Sequence, residues 1–317
     1  MRSREIDVAH IDHSLTYHEN CQLLQQQFGV EFVRSNNAKL DRAEMLAKMY
    51  HAEKKPEKAR KDPYAKPAEK RPLFAPTPAP LSLDMPFDPI KRCREIEAIV
   101  MKGNARLYDS DKFRYQRFYG GIATAGSRGC PLRCLFCWNF DRNDNPVGAG
   151  TFFSPYEVVD RLEGIAKRNN TDLARISGSE NFLGMRSAKH LYEVIANSEL
   201  SYVVETNAIM LGYQPRILDL FKDLRNFRIR LSYKASNGLQ WEKLTGSNVW
   251  GFAYQQAAIR EIQKRHIPLK VAFMPQFVNP REIDVSGYIL EEETMKYYPG
   301  VKARLDNAKI KVLRRGY

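Results

Sequence analysis

Residues 121–139 read GIATAGSRGCPLRCLFCWN. The small and apolar run Gly121–Ala125 suits a buried strand. It breaks into glycines and then three cysteines, Cys130, Cys134 and Cys137, within eight positions. Three thiols this close in one loop are a ligand set, and their place after a strand decides how the rest of the chain is read.

Downstream of the loop, strand and helix patterns alternate. Strands are expected at Leu173–Ser177, Tyr202–Thr206, Phe227–Ser232, Leu269–Met274 and Lys309–Leu313. Helices fit between the first five strands, over Pro155–Arg168, Arg186–Asn197, Pro215–Asp223 and Val249–Arg265. Ser154 ahead of Pro155 and Glu157 is a start signal for the first helix. The segment 281–307 is less regular. Repeated strand–helix units imply a parallel sheet with right-handed crossovers. The fold class expected is α/β, an open partial (β/α)6 relative of the TIM barrel. Reactive residues should then follow the strands, at their C-terminal ends.

Ahead of this region lie three others. Residues 1–52 are expected to be helical, with Leu15, Leu23, Leu24 and Phe28 on one face and Leu40, Met45, Leu46 and Met49 on another. Residues 53–87 are rich in Lys, Pro and Ala and read as an extended linker. Residues 88–119 read as a helical lead-in, with Asp88 as N-cap, Pro89 at the first helical position and Gly103 past the end. Cys93 shares a face with Ile90, Ile96 and Val100 and is expected in the core. The barrel takes residues 120–317.

The chain has 317 residues, 43% of them hydrophobic, enough for a sizeable core. No apolar run is long enough to span a membrane, and residues 1–15 hold no secretory h-region. A soluble, cytoplasmic protein is expected. Five cysteines, three of them bunched, suit a metal site in a reducing compartment better than disulfides. The net charge of +13 favours acidic partners such as nucleic acid.

For the cysteine loop three ligand sets compete. Structural zinc closes a tetrahedron with four ligands. The nearest downstream histidine is His190, and His13, His18 and Cys21 are far upstream. A four-cysteine cubane would carry electrons but lacks its fourth thiol. A cubane held by three thiolates leaves one iron open, as a catalytic site needs. The glycines of GSRGC have neither the spacing nor the Gly-Lys-Ser ending of a phosphate loop.

The residues Cys130–Pro131–Leu132–Arg133–Cys134–Leu135–Phe136–Cys137 resemble the cluster motif of the radical S-adenosylmethionine (SAM) superfamily. Two further strand ends resemble that family's. Arg175–Asn181, RISGSEN, is similar to its Gly-Gly-Glu-Pro segment, with Gly178 and Glu180 kept, Ser179 for the second glycine and Asn181 for proline. Glu205–Ala208, ETNA, is close to its Thr-Asn-Gly ending. On the fourth strand Arg230, Ser232 and Lys234 alternate onto one face, and burying such a row is costly unless it meets anions or polar groups.

The resemblance implies a 4Fe-4S cluster on the three cysteines and SAM on its open iron. It implies Glu180 on the SAM ammonium, with Gly178 and Ser179 beside it. Ser232 and Lys234 would meet ribose or carboxylate, Asn207 the ribose, and Phe136 the cluster and adenine. Residues 232–236 (SYKAS) and 241–248 (WEKLTGSN), with Cys137–Trp138–Asn139, also resemble glycyl-radical activating enzymes. That likeness favours a protein or peptide substrate, while the charge favours RNA. A low-potential donor such as flavodoxin or ferredoxin is the implied partner. No cysteine follows residue 275 to hold an auxiliary cluster.

Overall fold

The computed structural model describes residues 85–146, 150–279, 283, 289–293, 295 and 298–310. The expected helices of residues 1–52 and all but the last three residues of the linker lie outside the described residues.

Helix α1, Pro89–Val100, starts where Asp88 accepts from the backbone N–H groups of Ile90 and Lys91. It buries Ile90, Cys93, Ile96 and Val100. The lead-in is helical only this far. Met101–Lys102 (β1) and Ala105–Tyr108 (β2) turn back as a hairpin about Gly103, whose φ of +62° glycine adopts without strain. Arg114–Gln116 (β3) pairs antiparallel with Ile122–Gly126 (β4).

From β4 onward the alternation holds. A short helix, α2, Phe140–Asp144, follows the cysteine loop, and Thr151–Phe153 (β5) joins the first hairpin. Then come α3 Pro155–Asn169, β6 Leu173–Ser177, α4 Met185–Ala196, β7 Ser201–Thr206, α5 Ile209–Tyr213 and β8 Phe227–Tyr233. The chain continues through α6 Gly238–Thr245, α7 Trp250–Lys264, β9 Leu269–Phe273, β10 Ile289–Glu292 and α8 Pro299–Asn307. Ser154 and Glu157 form a reciprocal capping box at the head of α3. The expected helix at Pro215–Asp223 is a 3-10 segment, Pro215–Phe221.

The main sheet runs β10-β9-β8-β7-β6-β4-β3, with β4 and β6 to β10 parallel. Six parallel strands, the first five joined by helical crossovers, make the partial (β/α)6 barrel. The sixth strand is the correction. It is Ile289–Glu292, within the segment that reads as irregular; of the expected Lys309–Leu313 only Lys309 and Ile310 are described, and neither is in a strand. Lys309 is in a turn at φ +53° and Ile310 N–H donates back to Leu305 O, closing the end of α8; residues 311–313 lie outside the described residues. The alternation in KIKVL resembles a strand locally; ILEE takes the edge of the sheet, where the Glu291 carboxylate meets cations on β8 and β9.

Two points in this scaffold carry expected outcomes. A Cβ at Gly212 would overlap the carbonyl of Tyr254, so the backbones of α5 and α7 touch there. Gly212→Ala should cost about 3 kcal/mol, read as a lower denaturant midpoint with unchanged slope.

His190 is buried, with Nε2 2.8 Å from Tyr108 Oη and Nδ1 2.7 Å from Asn104 O, so it is spent on the hairpin and not on the cysteines. Burial lowers its pKa to about 4. Because the unfolded imidazole titrates near pH 6.5, the unfolded chain takes up this proton first. Stability is complete above about pH 6.5 and falls as pH drops toward 4, by about 3 kcal/mol. Urea melts of wild type and His190→Gln across that window should show the wild type falling more steeply. Parallel curves would remove His190 as the cause.

Candidate functional site

The cysteine loop leaves the C-terminal end of β4, the first parallel strand. Two helices hold it. Arg133 N–H and Leu135 N–H donate to Thr245 O and Leu244 O at the end of α6, at 3.0 and 2.9 Å. From α8, Arg304 donates to Leu135 O at 3.1 Å and Cys137 O at 2.5 Å, with its guanidinium 4.5 Å from the Phe140 ring. Asp144 joins Arg92 and Arg133 at 2.8 Å each. Gly129, at φ +87°, leaves no room for a side chain, since a Cβ would lie 2.6 Å from Ile96 Cγ2.

Cys134 is buried, and Cys130 and Cys137 are partly covered. Burial pushes the Cys130 thiol up, and the neighbouring Cys134 and Glu180 add to it. Burial also raises Cys137, but the Asn139 N–H, the Lys234 charge, Asn143 and Arg304 pull it back.

The other expected residues stand at strand ends around this loop. Asn207, after β7, has Nδ2 3.9 Å from Cys130 Sγ. The residue after it, Ala208, sits at φ +62°, where the family ending has glycine, at a strain of roughly 1 kcal/mol. Ser232 and Lys234 meet each other at the end of β8, Lys234 Nζ to Ser232 Oγ at 2.6 Å. Lys234 Nζ also lies 5.5 Å from the centre of the Phe136 ring, which is buried and stacked on Phe277 at 5.0 Å.

Gly178 adopts φ +93°, and its carbonyl accepts from Asn139 at 2.6 Å and Asn143 at 2.9 Å. Ser179 bonds Ser127 and accepts from Arg106 at 3.3 Å. Asn181, in the proline position, donates to Ile176 O and Glu205 O and so ties β6 to β7.

Glu180 turns its carboxylate onto protein donors at the ends of β6 and β7. It is 2% exposed, and its carboxylate accepts from Thr206 Oγ1 at 2.6 Å, Asn207 N at 2.7 Å and Phe182 N at 2.9 Å. Burial raises its pKa against these bonds. The side chain joins the ends of β6 and β7. Arg230 likewise meets protein carboxylates, Glu291 at 2.8 Å and Glu293 at 3.6 Å, while Arg175 meets Glu205 at 2.7 Å.

Four positions escaped sequence reasoning. Gln255, fully buried on α7, donates to Asn207 O and Ser232 O and accepts from Lys234 N. Arg304, Asn143 and Glu291 also reach the site or its floor. Nothing in their local pattern marks them, because each acts on residues distant in the chain or across a helix turn.

Among the described residues no group of three His, Cys, Asp or Glu side chains is set to hold one metal ion. Thiolates of a cubane bind different irons and need not converge on one point. The donor set, three sulfurs with amide N–H groups directed at two of them, fits an iron–sulfur group.

A family model described as the radical SAM superfamily matches residues 125–284, half of the chain. The chain belongs to the radical SAM superfamily. Membership makes it an enzyme of the radical SAM class. No curated protein matches the chain.

Among solved structures of this class, Streptococcus suis SuiB bound to S-adenosylmethionine is similar at 13% identity, over 51% of this chain and 33% of that one, with a TM-score of 0.37. The radical SAM methyltransferase TsrM from Kitasatospora setae, with cobalamin and a 4Fe-4S cluster bound, is similar at 15% identity, over 48% and 31%, with a TM-score of 0.37. Spore photoproduct lyase with a dinucleoside spore photoproduct is similar at 12% identity, over 60% and 61%, with a TM-score of 0.40. The match to SuiB and TsrM spans about a third of those chains. No described helix is long and apolar enough to cross a membrane.

Proposed function

We propose that Cys130, Cys134 and Cys137 hold a 4Fe-4S cluster and that the chain uses SAM to generate a 5′-deoxyadenosyl radical for hydrogen abstraction. When bound, the cluster supplies one electron that breaks the sulfonium carbon–sulfur bond, releasing methionine and the radical. The observation that carries the reading is the gathering at the strand ends: the cysteine loop leaves β4, Asn207 comes against it from β7, and Lys234, bonded to Ser232, comes against its Phe136 from β8.

The roles follow from what each side chain offers. The Lys234 ammonium, held by Ser232 and lying over the Phe136 ring of the cysteine loop, would meet the SAM carboxylate. Phe136, itself buried, would shield the cluster. Gly178, without a Cβ, lets the cofactor approach the backbone. Asn207 is placed for the ribose. Glu180 supports Asn207 from behind and so acts on SAM through it.

A protein or peptide substrate is favoured by the likeness to activating enzymes in residues 232–248. The second reading, RNA modification, rests on the net charge of +13 and predicts binding that weakens steeply with salt. Flavodoxin or ferredoxin would supply the electron.

The test is anaerobic reconstitution with iron and sulfide, reduction with dithionite, addition of SAM and chromatography for 5′-deoxyadenosine. A well-formed cluster whose EPR signal ignores SAM would leave an electron carrier in place of the enzyme.

A further inference from the structure

Two side-chain amides direct N–H groups at ligand sulfurs. Asn143 Nδ2 lies 3.7 Å from Cys137 Sγ, and Asn207 Nδ2 lies 3.9 Å from Cys130 Sγ. Asn143 is 5% exposed, and the same nitrogen donates to Gly178 O at 2.9 Å. Its Oδ1 is buried with no protein partner. The reversed amide would turn that oxygen toward Gly178 O and a thiolate, both acceptors. The orientation is therefore set by the sulfur and the carbonyl, and the fold accepts an unpartnered oxygen to keep it.

An electron added to an iron–sulfur cluster spreads onto its thiolate sulfurs. A donor on sulfur stabilises the more negative, reduced state more than the oxidised one, and hydrogen bonds to the sulfurs are among the features that set cluster potentials. Resting on the function proposed above, we propose that Asn143 is a redox-tuning residue, its N–H on Cys137 raising the potential of the cluster. Asn207 acts in the same sense on Cys130. Because Asn143 also holds the Gly178 carbonyl, it ties the ligand loop to the turn beside the cofactor. It is a positioning residue and touches no substrate.

The test uses the full chain, reconstituted anaerobically, with the midpoint followed by EPR-monitored redox titration in wild type, Asn143→Leu and Asn143→Asp. Asparagine and aspartate share a shape, so the Asp variant replaces the donor by an acceptor with little change in volume. At a fixed donor potential the Leu variant should hold about tenfold less reduced cluster, a shift of about 59 mV for a one-electron couple. The Asp variant should shift at least as far in the same negative direction.

A wild-type midpoint in either variant at full iron content overturns the proposal. If Asn143→Leu takes up no iron, Asn143→Asp decides. Failure of both to take up iron also overturns it, because Asn143 would then serve assembly and not potential. A wild-type chain that binds no iron would instead defeat the cluster reading itself, a result separable from the others by iron content alone.

Discussion

Replacing Cys134 by alanine should take bound iron and 5′-deoxyadenosine formation to background together while leaving the fold in place. Cys134 is 6% exposed and lies between Arg133 and Leu135, whose N–H groups are held by the end of α6. That backbone contact does not depend on a metal, so the loop keeps its course in the variant. Truncating one buried thiol to a methyl group costs on the order of 1 kcal/mol, far less than the stability of a domain this size. Far-ultraviolet circular dichroism and the denaturant midpoint should therefore stay near wild type, while iron content and product fall to the level of a blank. Retained turnover in a well-folded Cys134→Ala protein would remove Cys134 from the ligand set.

The second large effect is expected at Glu180, and it separates two roles for one carboxylate. Glu180→Ala leaves Thr206 Oγ1, Asn207 N and Phe182 N facing a cavity in place of an acceptor. Buried donors without partners cost about 1–3 kcal/mol each, and partial relaxation brings the total to roughly 3 kcal/mol. The midpoint of urea unfolding should fall accordingly. In the fraction that remains folded, SAM affinity should drop only a few-fold, because the carboxylate supports Asn207 from behind. A loss of a hundredfold or more in SAM affinity at wild-type stability would return Glu180 to the ammonium of SAM. Isothermal titration and unfolding of the same preparation give both numbers.

Around Glu180 the fold adds protein partners that the motif does not name. Gly178 takes the positive φ that its place in RISGSEN requires. The substituted neighbours Ser179 and Asn181 are absorbed by bonds to Ser127, Arg106 and the backbones of Ile176 and Glu205. Apart from Ile176, none of these partners is near in sequence, so the compensation was invisible until the hairpin of β2 and the strand ends came together.

The row Arg230, Ser232, Lys234 divides in the same way. Alternation put the three on one face, as a strand must. Whether a cation there awaits a ligand depends on what the next strands bring. For Arg230 they bring Glu291 and Glu293, whose segment reads as irregular.

Local physics therefore determined, from sequence alone, the spacing of three thiols after a strand, the capping box at Ser154 and the positions of five parallel strands. Each of these depends on residues within a few positions of one another, where dihedral preference and side-chain period act directly. Tertiary structure alone decided the sixth strand, the partners of Glu180 and Arg230, and the grip of Arg304 on a loop 167 residues away. Buried charges and amides take whichever partner the fold brings within about 3 Å, and that distance is set by the whole sheet and not by neighbours in the chain.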